Sequence, residues 1–265
     1  MSKTAEKEMS FLEHLEELRW HIVRSILAIV ILGIVVFIYI QWIFDNILYA
    51  PKKASFLTYK AFCAISDRTC FEPPDLEIIT VSLDEQFLTA IKVAFWLGFI
   101  GSFPYIFYQF WKFIKPGLYE KEQKAVRGVV WICSLLFISG VMFGYFVIAP
   151  FAIKFLGTFT VGMEISNTVS LNSYIGYMTM FTIPAGILFE LPIVIFFLSK
   201  IGIVTPKILR HYRRHAYVSI LILAAIITPP DAATQFMIGI PVFILYEISI
   251  FISARVQKNS MQIQP

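Results

Sequence analysis

A carboxyl group inside a long apolar segment is the clearest candidate for chemistry in this sequence. Glu190, in the run GILFELPIV, precedes Lys200 by ten residues, or about 15 Å of helix. This places it near the middle of a membrane, where an ionisable group is costly and indicates a functional site. It is the one acidic residue that we assign to mid-membrane, and the flanking Pro184 and Pro192 predict a bend. Two interpretations stay open: a polar contact to another helix, with Gln235 as a second polar group, or a neutral, hydrogen-bonded packing residue.

Two more carboxylates, Glu17 and Glu122, belong to polar segments that flank apolar runs. Glutamates in such places are usually solvated charges, and the residues alone favour that interpretation. Arg19, close to Glu17, is predicted to anchor its helix at the membrane interface. The segment FIKPGLYEKEQK around Glu122 contains Pro116 and Gly117, which predict an ordered turn rather than a flexible linker.

A possible metal pair is formed by His211 and His215, which are one helical turn apart in the sequence HYRRH. Arg213 and Arg214 lie between them and would repel a cation, and no third ligand is near in the sequence. We therefore interpret HYRRH as a basic cluster at the membrane interface. The sequence also lacks HExxH, GxSxG, CxxCH and phosphate-binding-loop motifs. These observations predict no metal, no cofactor and no enzymatic activity, and nothing indicates a nucleic-acid partner.

The elements that hold these residues are predicted to be membrane-spanning helices. The 265 residues are 58% hydrophobic and 15% charged, with a mean hydropathy of +0.73, and a soluble protein would need more charge at its surface. The apolar runs are continuous rather than alternating with polar residues, which disfavours a β-barrel. We therefore predict an all-α membrane protein, built of helices rather than strands. The N-terminus has no signal-peptide cleavage pattern, so we expect it to be retained.

Six spans follow from the apolar runs, all within a single membrane domain, 1–265. The capping-box pair Ser10 and Glu13 predicts a helix that begins before the first span at 22–41, and Ser82 with Glu85 opens the second. The fifth span is short. Its helix would reach about 21 Å, which is less than the thickness of a membrane core, ~30 Å. The predicted segments are 10–41, 84–110, 128–149, 173–199, 215–228 and 233–253.

Basic residues orient these spans. Most of the 22 Lys and Arg residues lie in the N-terminal arm, in the loops 111–127 and 200–214, and in the tail. By the positive-inside rule these segments are cytoplasmic, so both termini are expected in the cytoplasm. Lys92, about two turns into the second span, is expected to extend its amine outward. Asp231, after Pro229–Pro230, is expected to cap the sixth span.

The segment 42–83 is too long for a plain connection, and we expect it to fold into a cap over the outer face. Cys63 and Cys70 both lie in it, on the oxidising side of the membrane, which suggests a disulfide that closes a small loop. The alternative is two thiols held apart. Cys133 lies inside a span and is expected to be a small apolar packing residue.

Four motifs resemble those of the TatC family, the polytopic subunit of the twin-arginine protein translocase. They are HLEELR at 14–19, FIKPGLYEKE at 113–122, FELP at 189–192, and TPPD at 228–231 with a glutamine four residues after its aspartate. Ala50–Pro51 after the first span adds to the resemblance. The motifs cover almost the whole chain in the right order, and together they are highly specific.

The resemblance implies a six-helix, cup-shaped bundle with a periplasmic cap, in the bacterial cytoplasmic (inner) membrane and in contact with its lipids. It implies a receptor that binds twin-arginine signal peptides of folded cargo at its cytoplasmic face. The receptor would work with TatA- and TatB-type single-span subunits, as a homo-oligomer within the receptor complex, and would use the proton-motive force. By resemblance, the signal-recognition residues are Glu17, Arg19, Phe113 and Glu122, the partner-binding residues are Glu190 and Gln235, and the structural residues are Pro51, Pro116 and Asp231.

The chemistry of a twin-arginine signal agrees with this assignment. Two adjacent arginines suit two carboxylates, because a guanidinium binds a carboxylate through two parallel hydrogen bonds, whereas lysine lacks that planar geometry. The sequence departs from the family at Gln123, where members often have a basic residue, and in its longer outer loop.

Two rival functions were weighed. A proton-coupled secondary transporter would use Glu190, but such proteins usually have internal repeats and paired broken helices, and no repeat is visible. An intramembrane hydrolase lacks a nucleophile with a base. The sequence therefore predicts a translocase subunit rather than an enzyme.

Overall fold

The structure is a computed structural model that describes residues 11–66, 70–114, 128–159, 168–227 and 232–261. Eight residues named above lie outside these ranges: Ser10, Pro116, Gly117, Glu122, Gln123, Pro229, Pro230 and Asp231.

Helices make up most of the described chain, as its continuous apolar runs predict. The helices are α1 Phe11–Ile38, α2 Ile40–Ile43, α3 Leu57–Ile65, α4 Glu85–Ile114, α5 Val129–Phe143, α6 Ala149–Thr158, α7 Leu171–Phe189, α8 Leu191–Lys200, α9 Pro206–His211, α10 Arg213–Ile227 and α11 Ala232–Met261. Two π-helical segments, Phe44–Leu48 and Gly144–Ile148, and a 3-10 turn, Ala50–Lys52, connect some of them.

Five helical segments of the described chain are long and apolar enough to cross a membrane. They are Leu15–Ile38, Glu85–Ile114, Val129–Thr158, Leu171–Lys200 and Thr234–Lys258. The fifth predicted span corresponds to α10, which has 15 residues and stays shorter than the others. The prediction of an all-α membrane bundle is therefore confirmed. The physical reason is that a chain in lipid must satisfy its backbone groups internally, and helices do so.

Two details differ from the sequence prediction. The third span is predicted to end at 149, whereas the helix continues through a π-helical turn and α6 to Thr158. A small parallel sheet pairs β1, Glu77–Ile79, with β2, Thr168–Ser170. Strands of three residues are too short to show an alternating pattern, so the sequence does not reveal them.

Contacts divide the chain into two compact units. The first consists of Met1–Ile38 and Lys92–Ser134, and the second of Tyr39–Ile91 and Leu135–Pro265. In the first unit, α1 and α4 approach closely at Gly33 and Gly98. A Cβ atom on Gly98 would lie 2.8 Å from the backbone nitrogen of Gly33, so only glycine allows this contact.

In the second unit, the end of α5 and the π-helical segment that follows it pack against α7 through small residues. Gly140 and Gly144 are four residues apart, and both lie against the α7 backbone. A Cβ atom on Gly140 would lie 2.6 Å from the carbonyl oxygen of Ala185, and one on Gly144 would lie 2.5 Å from that of Phe181. Since lipid does not drive two apolar helices together, this close backbone approach is what packs them.

The segment between the first two spans is ordered by aromatic contacts and hydrogen bonds. Tyr59 is 2% exposed and donates a hydrogen bond to the carbonyl oxygen of Pro51 at 2.8 Å. Its burial raises the pKa of Tyr59 to about 12. Cys63 and Cys70 are joined by a disulfide, next to the ring contact between Tyr59 and Phe71. Pro51 is thus held by a side chain from α3, consistent with a structural role.

Candidate functional site

Glu17 lies near the start of α1 with a partly exposed carboxylate. Its side chain is 36% exposed, and its Oε1 atom lies 3.8 Å from Nε2 of His21, one helical turn further on. This distance exceeds that of a hydrogen bond, so the two groups are neighbours without a direct bond. The carboxylate therefore remains available to a ligand.

His21 is buried between α1 and α4. Its exposure is 4%, and its Nδ1 atom lies 2.6 Å from Oε1 of Gln109, which is also 4% exposed. The Gln109 amide nitrogen in turn donates to the hydroxyl of Tyr105 at 2.6 Å. Because the amide nitrogen is directed to Tyr105, its carbonyl oxygen faces the imidazole and Nδ1 is the donor. Buried polar groups need such partners, and these three residues supply them to each other.

Phe113 contacts the same imidazole. Its ring centroid lies 6.2 Å from that of His21, in an edge-to-face arrangement. Tyr105, Gln109 and Phe113 are spaced four residues apart, so they form one stripe on α4 that faces α1. The structure thus brings Phe113 close to Glu17 through His21. Neither His21 nor Gln109 is predicted from the sequence as a site residue.

Arg19, the other predicted recognition residue of α1, lies elsewhere on that helix. Its guanidinium nitrogen is 3.2 Å from Oε1 of Glu16, and its side chain is 66% exposed. The guanidinium also lies 5.8 Å from the ring of Trp20. Residues two apart on a helix do not face each other, so Arg19 does not join the Glu17 group. The fourth predicted residue, Glu122, is outside the described residues.

An apolar groove adjoins this group on the membrane side. Its volume is about 440 Å³, and it lies between α1 and α4. Leu27, Ile31 and Leu32 line one wall, and Gly101 and Pro104 line the other. Tyr105 belongs both to the groove and to the hydrogen-bonded chain that reaches His21. The polar group and the groove are therefore continuous.

Glu190 lies where the fourth predicted span breaks. α7 ends at Phe189 and α8 begins at Leu191, and the Glu190 backbone nitrogen bonds to Ile187 three residues earlier. Pro192 causes the break, since proline has no N–H to continue the helix. The residue is half-buried, and its Oε1 atom is buried. Pro184 lies inside α7 without ending it.

Gln235 joins the last two helices. Its amide nitrogen donates to the carbonyl oxygen of Leu221 at 3.1 Å, which ties α11 to α10. This hydrogen bond of Gln235 is therefore made to α10, whereas Glu190 lies between α7 and α8.

Glu247, in the sixth predicted span, is a second carboxyl group that the sequence analysis overlooked. Its Oε2 atom lies 2.5 Å from a guanidinium nitrogen of Arg213, and its Oε1 atom accepts from the hydroxyl of Tyr217 at 2.5 Å. A count of ionisable residues inside every predicted span would have found it.

Glu85 has a larger role than the predicted capping box. Its Oε2 atom accepts from the backbone of Val81 at 2.6 Å and of Ser82 at 3.4 Å. Its Oε1 atom accepts from the backbone of Asn172 at 2.8 Å. The carboxylate therefore caps α4 and also binds the first turn of α7.

The histidines of HYRRH contact an aromatic ring. His211 and His215 both lie edge-on to Tyr212, with ring centroids 5.0 Å and 5.5 Å away. Within the described residues, no group of three or more His, Cys, Asp or Glu side chains is placed to hold a metal ion.

The chain is similar to known proteins over nearly its whole length. The family described as "TatC: Sec-independent protein translocase protein (TatC)" matches residues 13–241. The chain is 41% identical over 264 residues to the Sec-independent protein translocase protein TatC of Blattabacterium sp. subsp. Periplaneta americana (strain BPLAN), covering 97% of this chain and 99% of that protein. It is 33% identical over 262 residues to TatCy of Bacillus subtilis (strain 168), covering 99% and 95%.

Two solved structures have the same fold. A crystal structure of the twin arginine translocase receptor TatC matches with a TM-score of 0.72 and 34% identity, over 92% of this chain and 100% of that one. A second, of the same receptor in DDM, matches with a TM-score of 0.73 and 36% identity, over 90% and 98%.

Proposed function

Because the chain belongs to the TatC family of Sec-independent protein translocase proteins, we propose that it recognises the twin-arginine signal peptides of folded cargo proteins. As a family member it is a component of the Tat translocase, a transport protein of the inner membrane with several spans. The proposal concerns how this component selects its cargo.

The observation that carries the proposal is the setting of Glu17. Its carboxylate is partly exposed, it is backed by the imidazole of His21, and the ring of Phe113 lies against that imidazole. A guanidinium can bind a carboxylate through two parallel hydrogen bonds and can stack on an aromatic ring. One signal arginine would meet both kinds of contact here.

The second arginine would bind Glu122. Two adjacent cations are best matched by two carboxylates, and the loop that holds Glu122 begins directly after Phe113 and Ile114 at the end of α4. Glu122 thus belongs to the chain segment that leaves the recognition site. Arg19 would act at the rim, through its exposed contact with Glu16.

The groove beside Tyr105 offers a place for the rest of the signal. A signal peptide has a basic segment followed by 7–15 apolar residues. The groove has mostly apolar walls, with Arg24 and Ser102 also lining it, and it adjoins the polar group at Tyr105. A peptide that places its arginines at Glu17 would therefore lead its apolar segment into the groove.

Cytoplasmic orientation of this site is supported by charge. The segment that follows α8 carries four exposed basic residues: Lys207, Arg210, Arg213 and Arg214. The positive-inside rule then assigns this loop and both termini to the cytoplasm. Glu17 would face the compartment in which cargo folds.

Partner recruitment is proposed for Glu190 and Gln235. The helix break leaves a carboxyl group with a buried oxygen at membrane depth. A polar contact between helices in lipid is worth about 1–2 kcal/mol. TatA- and TatB-type single-span helices would dock here, several copies of the chain would assemble in the receptor complex, and the proton-motive force would drive transport.

The experiment is binding of a labelled signal peptide to the purified chain, in Arg-Arg and Lys-Lys forms. We expect much weaker binding of the Lys-Lys form, and loss of this difference in Glu17→Ala and Glu122→Ala. The matched control is Glu72→Ala, which removes an exposed carboxylate in the segment between the first two spans. Equal binding of both peptides by the unmodified chain would contradict the proposal.

One observation favours a second candidate, a proton-coupled transporter. The helix is broken at Glu190, and transporters place such breaks at their ion sites. Proton-dependent solute uptake by vesicles that contain this chain alone would support this alternative, and its absence would exclude it.

A further inference from the structure

We propose that His21 is a positioning residue that orients the Glu17 carboxylate and so sets the preference for arginine over lysine. This inference rests on the proposed function, since it names what makes the same site selective. It assigns a role to a buried side chain that does not itself touch the signal peptide.

His21 is held on three sides. Gln109 binds its Nδ1 atom at 2.6 Å, Phe113 packs edge-on against the ring, and Glu17 lies 3.8 Å from its Nε2 atom. Burying an imidazole is costly unless its nitrogens are satisfied. An apolar residue would pack between these helices without that cost, so the polar ring indicates a role beyond packing.

The hydrogen-bond chain has a direction. Tyr105 accepts from the Gln109 amide nitrogen, and the Gln109 carbonyl oxygen accepts from Nδ1 of His21. Nδ1 is therefore committed to α4, and Nε2 is the atom directed to Glu17. Nε2 attracts the carboxylate when it also carries a proton, because an unprotonated ring nitrogen is an acceptor. The ring cannot turn over without breaking the contact to Gln109. The position of Nε2 relative to the carboxylate is thus determined by α4.

A fixed carboxylate matters more for arginine than for lysine. A guanidinium needs both carboxylate oxygens in its own plane, whereas an ammonium group is a point charge that binds from many directions. Loss of the carboxylate's orientation should therefore weaken binding of the Arg-Arg peptide more than binding of the Lys-Lys peptide. General damage to the fold would weaken binding of both peptides alike. The ratio of the two affinities, referred to below as the selectivity ratio, separates these causes.

Two amide substitutions separate the two functions of the imidazole, which are its bond to Gln109 and its contact with Glu17. The Asn amide nitrogen occupies roughly the place of Nδ1, so His21→Asn keeps a donor for Gln109 but does not reach Glu17. The Gln amide nitrogen occupies roughly the place of Nε2, so His21→Gln keeps the group that faces Glu17. We expect the selectivity ratio to fall about two- to fivefold in His21→Asn and His21→Ala, the value of a partly exposed charge pair. We expect His21→Gln, which keeps the nitrogen that faces Glu17 but loses the donor to Gln109, to give a selectivity ratio between that of His21→Asn and that of the unmodified chain.

Gln109→Leu tests the anchor without changing His21. It removes the acceptor for Nδ1 and frees the ring, so the selectivity ratio should fall even though the imidazole is present. Ser25→Ala is the matched control, because its hydroxyl donates only to the backbone carbonyl of His21, at 2.9 Å. Its selectivity ratio should stay unchanged. Elution as a single folded species qualifies each variant, and if His21→Ala does not fold, His21→Asn and Gln109→Leu still decide.

Three results would overturn the inference. One is an unchanged selectivity ratio in His21→Asn and Gln109→Leu while Glu17→Ala loses it, which leaves the proposed function standing. Another is an equal weakening of both peptides, which assigns His21 to the fold alone. The third is equal binding of both peptides by the unmodified chain, in which case the proposed function fails as well.

Discussion

Arg213 and Glu247 form an ion pair of 2.5 Å between the first turn of α10 and the middle of α11, although they are 34 residues apart in sequence. Tyr217 donates to the other oxygen of the same carboxylate. In the middle of α10, Gln235 binds the carbonyl oxygen of Leu221. A helix of 15 residues is short for a membrane, and side chains of α11 hold it at its first turn and at its middle.

The first prediction concerns this ion pair. Glu247→Ala removes the partner of Arg213 and Tyr217 together, and we expect it to lower the free energy of unfolding by about 1–2 kcal/mol. The value is modest because both charged side chains are partly exposed, at 44% and 29%. Thermal unfolding in detergent measures it.

The control is Arg214→Ala, which removes the adjacent, exposed basic residue. Tyr217→Phe should give an intermediate loss, because it removes one of the two contacts. If Glu247→Ala and Arg214→Ala unfold at the same temperature, the pair does not hold these helices together.

A second prediction follows from the close packing of α5 and the π-helical segment after it on α7. Gly144→Ala would place a Cβ atom 2.5 Å from the carbonyl oxygen of Phe181, so the two helices must separate. We expect a marked loss of stability, on the order of 1–3 kcal/mol. Gly239→Ala is the matched control, since its nearest neighbour would be a side-chain atom at 3.5 Å. Equal stability of the two variants would refute the packing argument.

The third prediction concerns the cysteines. Under non-reducing conditions Cys63 and Cys70 should resist a thiol reagent, and after reduction both should react, because a disulfide occupies them in the structure. Cys133 is buried at 0% exposure and should stay unlabelled until the chain unfolds. A gel shift counts the labelled thiols. Free labelling of both residues before reduction would show that the bridge does not form.

The fourth prediction tests partner recruitment. Glu190→Ala should reduce co-purification of a single-span partner subunit, because it removes the buried polar group at the break between α7 and α8. Ser199→Ala is the control in the same segment, since its hydroxyl donates to Ser253 within the chain at 2.7 Å. Undiminished recovery of the partner with Glu190→Ala would argue against this site.

Local sequence determined the class of the protein and the position of its spans. Backbone groups in lipid must be satisfied within each segment, so a long apolar run becomes a helix whatever its neighbours are. The same local rules predicted the short fifth helix and the bend beside Glu190, since chain length and proline act on the residues next to them. Motif resemblance then marked Glu17 and Phe113.

Only the tertiary structure decided which side chains meet. His21 and Gln109 are 88 residues apart, and nothing in either segment shows that one faces the other. Gln235 is predicted as a second polar group for Glu190, and the sequence does not show that its amide also donates to Leu221 on α10. These pairings depend on how each helix is rotated and where it crosses its neighbour, and glycines such as Gly33 and Gly98 set those crossings through contacts between distant segments. Hydrophobic periodicity carries little of that information here, because lipid and protein interior are equally apolar and every face of a spanning helix looks alike.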